Sequence, residues 1–350
     1  MWVLSLSFLN KGSYQSESFI GRGILKIKMR KMMVNLHDIW EARQRISPYI
    51  HHTQLLHSSS LSHMLGAEVY LKCENLQKTG SFKVRGAFNH ILSLTDEQKK
   101  AGVICYSSGN HAQAVCYAAT LLGVEAWVVM PEITTPAKVA ACREYGGHIV
   151  LYGQTGADTY PKSIELMNEK GLIFIDPCED EKIIAGQGTV GLEMLEAVPD
   201  ADVVYIPVGG GGLISGIATA VKELSPTVKV VGVEPERMNC MSVSVAAGKI
   251  TKIIRQPSIA DGLSGEAPGE MAFAAAMKYV DDMVTVSENE IAEATLLVMQ
   301  RTKMFIEPSA GATVAGLFSK RSFYGKKNLC LLSGGNANLK VLAELFLKNN

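Results

Sequence analysis

The chain of 350 residues carries 34 lysines and arginines against 34 aspartates and glutamates, and 47% of it is hydrophobic. That length accommodates two compact lobes, while the balanced charge offers no general attraction for nucleic acid or an anionic membrane. Seven cysteines without paired spacing (Cys73, Cys105, Cys116, Cys142, Cys178, Cys240 and Cys330) point to buried thiols in a reducing compartment and away from zinc, and no run of about eighteen apolar residues is present to span a bilayer. The expectation is a soluble, cytoplasmic, enzyme-sized protein.

Residues 1–32 stand apart. Trp2 to Leu9 is apolar but lacks a basic region before it and a small-residue cleavage site after it, so a secretory signal fits poorly. Few basic residues precede Lys26, which makes a transit peptide a weaker reading still. The segment is expected to be an extension, either disordered or the product of an upstream start codon, with the folded part beginning at Met33.

From there, strand-like apolar runs at 69–71, 103–106, 126–130, 148–152, 172–175, 203–208, 230–233, 283–286 and 329–332 alternate with helical patterns. Two helix starts have capping-box form, Thr95-Asp96-Glu97-Gln98 and Ser287-Glu288-Asn289-Glu290. Strand, helix, strand in repetition predicts an α/β fold of mainly parallel sheets covered on both faces.

Four turns carry candidate chemistry. The first is Gln77-Lys78-Thr79-Gly80-Ser81-Phe82-Lys83, where a tight turn and an apolar neighbour shelter a lysine that opens a helix. A lysine is a nucleophile only when its charged form is disfavoured, and this setting suits a Schiff-base lysine. The competing reading is a surface lysine at the head of an amphipathic helix over 81–94. The second turn, Ser107-Ser108-Gly109-Asn110-His111, offers hydroxyls, an amide and free backbone donors at a helix start, which suit a carboxylate. It is also an ordinary cap sequence.

The third is Gly209-Gly210-Gly211-Gly212, between an apolar strand and a helix pattern. Backbone N–H groups there can crowd around a phosphate at the helix N-terminus. No Lys-Ser or Lys-Thr pair follows and the dinucleotide spacing is missing, so the loop reads as a site for one phosphate monoester. The fourth, Ser333-Gly334-Gly335-Asn336, follows the last strand and faces the crevice where open α/β sheets bind ligands. Ser333 is a candidate partner for a heteroaromatic nitrogen, or a cap for the last helix.

Ser81-Phe82-Lys83-Val84-Arg85-Gly86-Ala87, Ser107-Ser108-Gly109-Asn110-His111-Ala112-Gln113, the four glycines with Leu213, Ile306-Glu307-Pro308-Ser309-Ala310-Gly311 and Leu332-Ser333-Gly334-Gly335-Asn336 occur in one order. In these motifs, spread over about residues 33 to 345, the chain resembles the fold-type II pyridoxal-phosphate enzymes of the threonine/serine dehydratase and serine racemase family. The resemblance implies a two-lobed fold like that of the tryptophan synthase β chain. Residues 33–101 plus 179–350 would form the large cofactor-binding domain and 102–178 the small substrate-side domain.

It implies further that pyridoxal 5'-phosphate joins Lys83, with Phe82 packed beside the ring, Asn110 on the ring hydroxyl, the 209–212 backbone on the phosphate, Ser333 at the pyridine nitrogen and Glu307 near the cofactor. Ser107, Gly109 and His111 would hold the substrate carboxylate. Lys83 would then remove the α-proton in an ammonia-lyase reaction on L-threonine or L-serine, and Ser108 would stand as a second acid/base on the opposite face, as in racemases. Serine racemase and 3-hydroxyaspartate ammonia-lyase are the alternatives, and the 153–160 loop, with no cation before Lys162, leans toward threonine and serine.

The family's divalent-cation site would use Glu234 and the Met238 carbonyl, but Cys240 fills its third place, and a thiol suits a hard cation poorly. Glu234 as a helix-capping carboxylate is the competing reading. The chain ends soon after the Ser333 turn, so feedback by isoleucine through a C-terminal regulatory domain is not expected. A homo-oligomer acting on a small amino acid, with neither nucleic-acid nor membrane partner, completes the expectation. A nicotinamide oxidoreductase would leave Lys83 without a role, and a non-catalytic relative would have lost Lys83 or Ser333.

Overall fold

A computed structural model describes residues 33–319 and 325–348; the extension expected over 1–32 lies outside the described residues. The strands in chain order are β1 Leu55–His57, β2 Glu68–Cys73, β3 Val103–Tyr106, β4 Ala126–Met130, β5 His148–Leu151, β6 Ile173–Phe174, β7 Val203–Pro207, β8 Lys229–Pro235, β9 Asp282–Val286 and β10 Lys327–Leu332. Among the described residues they form a six-stranded sheet in the order β1-β2-β10-β7-β8-β9 and a four-stranded sheet in the order β5-β4-β3-β6. Every pairing is parallel except β1 with β2.

The central strands are apolar on both faces because helices cover both, which is why β7 reads as Val-Val-Tyr-Ile-Pro and is buried throughout. One core surrounds the large sheet, with Leu71, Tyr205, Val231, Val284 and Leu332. A second surrounds the small one, with Val115, Val128 and Met130, and it recruits Val84, Ala87, Phe88 and Ile91 from the helix Lys83–Leu92. The helix that begins at Lys83 therefore belongs by packing to the small sheet's core, although the strand before it, β2, lies in the large sheet. That double attachment puts its N-terminus between the two sheets.

The same helix packs against the long helix Glu181–Ala197, and closely: a Cβ on Gly186 would sit 2.6 Å from the Cα of Gly86. Beside this crossing lies a fully buried charge cluster. Arg85 donates from Nε and one terminal nitrogen to Glu74 at 2.8 Å each, and from both terminal nitrogens to Glu193 at 2.7 and 2.8 Å. Lys72 closes it, donating to Glu193 Oε2 and to the Thr53 carbonyl, both at 2.6 Å. Two cations and two anions satisfy one another here, and burial of ions is tolerable only with such pairing.

Candidate active site

The approach to Lys83 is made of strained turn and main-chain bonds. Thr79 and Gly80 have positive φ values of 59° and 71°, a left-handed pair that turns the chain sharply. Ser81 then forms an antiparallel bridge with Gly334, the Phe82 N–H donates to the Ser333 carbonyl at 3.1 Å, and the Gly335 N–H donates to the Gly80 carbonyl at 2.9 Å. The lysine segment and the turn after β10 are thus sewn together. Lys83 opens its helix, and its Nζ donates to the Pro177 carbonyl at 2.8 Å while lying 5.3 Å from the centre of the Phe82 ring. Burial holds the amine below the usual lysine range, against the opposing pull of the nearby Asp176 and Glu307 carboxyl groups. A lysine on an open helix face would reach into water; this one reaches into the protein.

The four glycines lie where expected, between β7 and the helix Gly212–Leu224, with Gly211 at φ 93° as its N-cap. Space around them is closed. A Cβ would come within 3.0 Å of Leu263 Cα at Gly209, 2.6 Å of Cys178 Sγ at Gly210, 2.6 Å of Ala272 Cβ at Gly211 and 2.8 Å of the Cys178 backbone at Gly212. A loop that admits no side chain, backed by a helix N-terminus, fits a phosphate monoester, and with Lys83 it fits pyridoxal phosphate.

The Ser107 turn follows β3 and opens the helix Asn110–Leu121. Ser107 Oγ accepts from the Gly109 N–H at 3.1 Å. A Cβ on Gly109 would meet nothing within 4 Å, so the open side of this turn has room for a ligand. Ser108 is half-buried. The His111 ring faces inward: it is buried with Nε2 3.1 Å from the Ile175 carbonyl, and burial pushes its pKa down to about 3. A neutral, inward-facing imidazole leaves only the backbone N–H of His111 for a carboxylate.

Asn110 is the hub of a polar chain. Its Nδ2 donates to Glu307 Oε1 and Oε2 at 2.9 and 3.2 Å, and its Oδ1 accepts from Asn336 Nδ2 at 2.8 Å. Asn336 also donates to the Thr79 carbonyl at 2.7 Å, returning the chain to the lysine turn. Desolvation, and then the charge of Asp261, lift the Glu307 carboxyl to about 7. Glu307 precedes the helix Pro308–Phe318, and its N–H donates to the Gly334 carbonyl at 3.0 Å. Ser333 is buried at the C-terminal end of β10, between β2 and β7.

Glu234 and Met238 lie elsewhere. The Glu234 oxygens accept from the N–H groups of Met241 and Ser242 at 2.9 and 2.8 Å and from the Ser242 hydroxyl, capping the start of the helix Cys240–Ala247. Desolvation raises this carboxyl too, to about 7. Met238 is buried, and among the described residues no group of three or more histidine, cysteine, aspartate or glutamate side chains is arranged to hold a metal.

Sequence reading passed over Asp176, Pro177 and Cys178, which surround the lysine amine, and Asn336. Asp176-Pro177-Cys178-Glu179 is a recognisable turn sequence, but nothing local ties it to a lysine 94 positions earlier. Asn336 stood inside a turn already singled out, and its amide was the available signal.

A family model described as pyridoxal-phosphate dependent enzyme matches residues 46–334. The chain is 42% identical over 316 residues to an L-threonine ammonia-lyase of Thermotoga maritima, covering 90% of this chain and 79% of that one. It is 43% identical over 309 residues to an L-threo-3-hydroxyaspartate ammonia-lyase of Saccharomyces cerevisiae, covering 88% and 95%. The crystal structure of serine racemase from Dictyostelium discoideum superposes with a TM-score of 0.82 at 39% identity, over 87% of this chain and 99% of that one. With the motifs in order and the family model matched from residue 46 to 334, the chain belongs to the family of pyridoxal-phosphate dependent enzymes.

Proposed function

We propose that this enzyme is an ammonia-lyase that converts L-threonine to 2-oxobutanoate and L-serine to pyruvate, releasing ammonia. The observation that carries the reading is the Lys83 amine, directed inward to the Pro177 carbonyl and pushed toward its neutral form by burial. A neutral amine is a base, and a charged one is not.

Pyridoxal phosphate, when bound, supplies the electron sink that acidifies the substrate α-carbon. Lys83 Nζ takes the α-proton. The first turn of the helix Asn110–Leu121, with Ser107, holds the carboxylate through backbone N–H groups. Ser333 would hold the pyridine nitrogen by donating its neutral hydroxyl, which lacks the charge that keeps that nitrogen protonated. A neutral partner there would make the ring a weaker electron sink and would favour loss of a β-substituent over transamination. The β-hydroxyl would leave as water, gaining in net the proton that Lys83 took from the α-carbon, and hydrolysis of the released enamine, through its imine, gives the 2-oxo acid and ammonia. We assign residues 102–178 as the substrate-side lobe, in keeping with the span of β3 to β6.

Similarity to the T. maritima ammonia-lyase favours threonine. A β-carboxylate, as in 3-hydroxyaspartate, calls for a spare cation, and Lys162 is paired with Glu165 and lies over the Tyr152 ring. One observation supports a rival: the Ser108 hydroxyl has no hydrogen bond among the described residues and stands at the open turn, which suits a second proton carrier and hence racemisation. Chiral product analysis after incubation with L-threonine, L-serine and L-threo-3-hydroxyaspartate tests the assignment. Oxo acid from threonine and serine with little D-serine is the expected result; D-serine at a comparable rate makes the enzyme a racemase, and fastest turnover of hydroxyaspartate overturns the substrate.

A further inference from the structure

The chain leaves the four-stranded sheet after β6 and enters the helix Glu181–Ala197 through a turn at 176–179 that touches most of the site. Asp176 Oδ1 accepts from the N–H groups of Cys178 and Glu179 at 2.9 and 2.7 Å. The Cys178 N–H belongs to the Pro177–Cys178 peptide, so the first bond fixes the orientation of that peptide, and its carbonyl, Pro177 O, receives Lys83 Nζ at 2.8 Å. On its other flank the turn presses Cys178 against Gly210 and Gly212. Glu179 Oε1 then accepts from the Met271 N–H at 2.7 Å, anchoring the turn to the large lobe.

We propose that Asp176 is a positioning residue for Lys83, acting on the amine through the Pro177 carbonyl it fixes and through the negative charge it places near Nζ. The inference rests on Lys83 as the cofactor lysine. The other titratable groups around the amine are Cys178, His111 and Glu307. Burial raises the Cys178 thiol to about 12 and lowers His111 to about 3, so neither carries charge at neutral pH. Asp176 is itself faced by Tyr106, whose hydroxyl burial keeps protonated, and by Cys178 and Glu179. Glu307 is tied to Asn110 on the far side. The lysine thus experiences two opposed influences: burial that drives its proton off and carboxylates that hold it on. Asp176 tempers the first and gives the free amine a defined place to rest.

The test uses the full chain before and after loading with pyridoxal phosphate. In the cofactor-free chain, trace acetylation read by mass spectrometry gives the pH midpoint of Lys83, with exposed Lys252 as internal reference. Asp176→Asn keeps the turn acceptor and removes the charge. It is expected to lower the Lys83 midpoint by about one pH unit, a tenfold change in the neutral fraction, while leaving Lys252 unmoved. Asp176→Ala removes the acceptor as well and is expected to slow cofactor uptake. Borohydride reduction of the loaded chain separately reports whether the cofactor joins Lys83, so failure of the functional reading is seen independently. An unchanged Lys83 midpoint in Asp176→Asn overturns the proposal and leaves Asp176 as a turn cap.

Discussion

Asn110 and Glu307, 197 residues apart, are joined by a single amide nitrogen that donates to both carboxylate oxygens, at 2.9 and 3.2 Å. The amide opens the first helix after β3 of the small sheet; the carboxylate opens the helix Pro308–Phe318, which lies against the large one. Their contact is a direct polar link between the two halves, and it is made at the site.

That link titrates. With its carboxyl raised to about 7 in the folded state from an ordinary 4.5, Glu307 binds a proton more tightly folded than unfolded. Its contribution to stability is therefore fully present below about pH 4.5 and is lost as pH rises through about 7, amounting to at most about 3 kcal/mol. Glu307→Gln removes this dependence. Thermal melts between pH 4.5 and 8 are expected to show the variant gaining on the unsubstituted chain as pH rises; parallel curves refute the assignment.

The glycine loop makes a prediction that separates side-chain from backbone crowding. Gly210→Ala aims a methyl at Cys178 Sγ, 2.6 Å away, whereas Gly212→Ala aims one at Cys178 Cα and carbonyl oxygen, 2.8 Å away. Both are expected to weaken pyridoxal-phosphate binding by at least about tenfold, the scale of one unmet contact or displaced backbone. Adding Cys178→Ala recovers much of the Gly210→Ala loss and little of the Gly212→Ala loss. Cofactor titration followed by visible absorbance measures each member of the cycle.

Removing Arg85 leaves Glu193 buried with Lys72 and takes from Glu74 the cation it is paired with. Arg85→Met is expected to destabilise the fold by about 3–5 kcal/mol, because an uncompensated buried charge costs more than the pair contributed. Urea unfolding gives the value; a loss under 1 kcal/mol would mean that water reaches the cluster.

Ser108→Ala separates the two reactions proposed for the site. Elimination needs the Lys83 face alone, so oxo-acid formation from L-serine is expected to change by less than about threefold, while any D-serine formation falls by about a hundredfold or more, the range for a lost proton carrier. Equal loss of both products would reduce Ser108 to a substrate-binding group.

The sequence announced β3 and β4 to the residue, and the capping boxes at Thr95 and Ser287 both form. Those features are local: an apolar run of strand length, or two side chains three residues apart. The strand β1 escaped because Leu-Leu-His is three residues long, lies antiparallel on an edge, and is half-exposed or exposed, so it has neither length nor alternation. The run at 172–175 shrank to Ile173–Phe174, since only that pair finds a partner on β3. The helix after Gly80 starts at Lys83, not Ser81, because Ser81 is drawn into its bridge with Gly334. At the site, Lys83, Asn110, the glycines and Ser333 sit on recognisable turns, whereas Asp176 and Asn336 gain meaning only from neighbours about 90 and 230 positions away.

The stitching of 80–82 to 333–335 by main-chain bonds has a consequence for substitution. The bonds come from peptide groups, yet Gly80, Gly334 and Gly335 admit no side chain, since a Cβ would come within 2.7 Å of Asn336 Oδ1, 2.6 Å of Glu307 Oε1 and 3.0 Å of the Phe305 carbonyl oxygen, so the frame that holds the lysine is open to substitution at Ser81, Phe82 and Ser333 and closed at its glycines. What anchors the lysine is thereby separated from the neighbouring turns, and an exchange of side chains in those turns leaves the anchoring bonds standing.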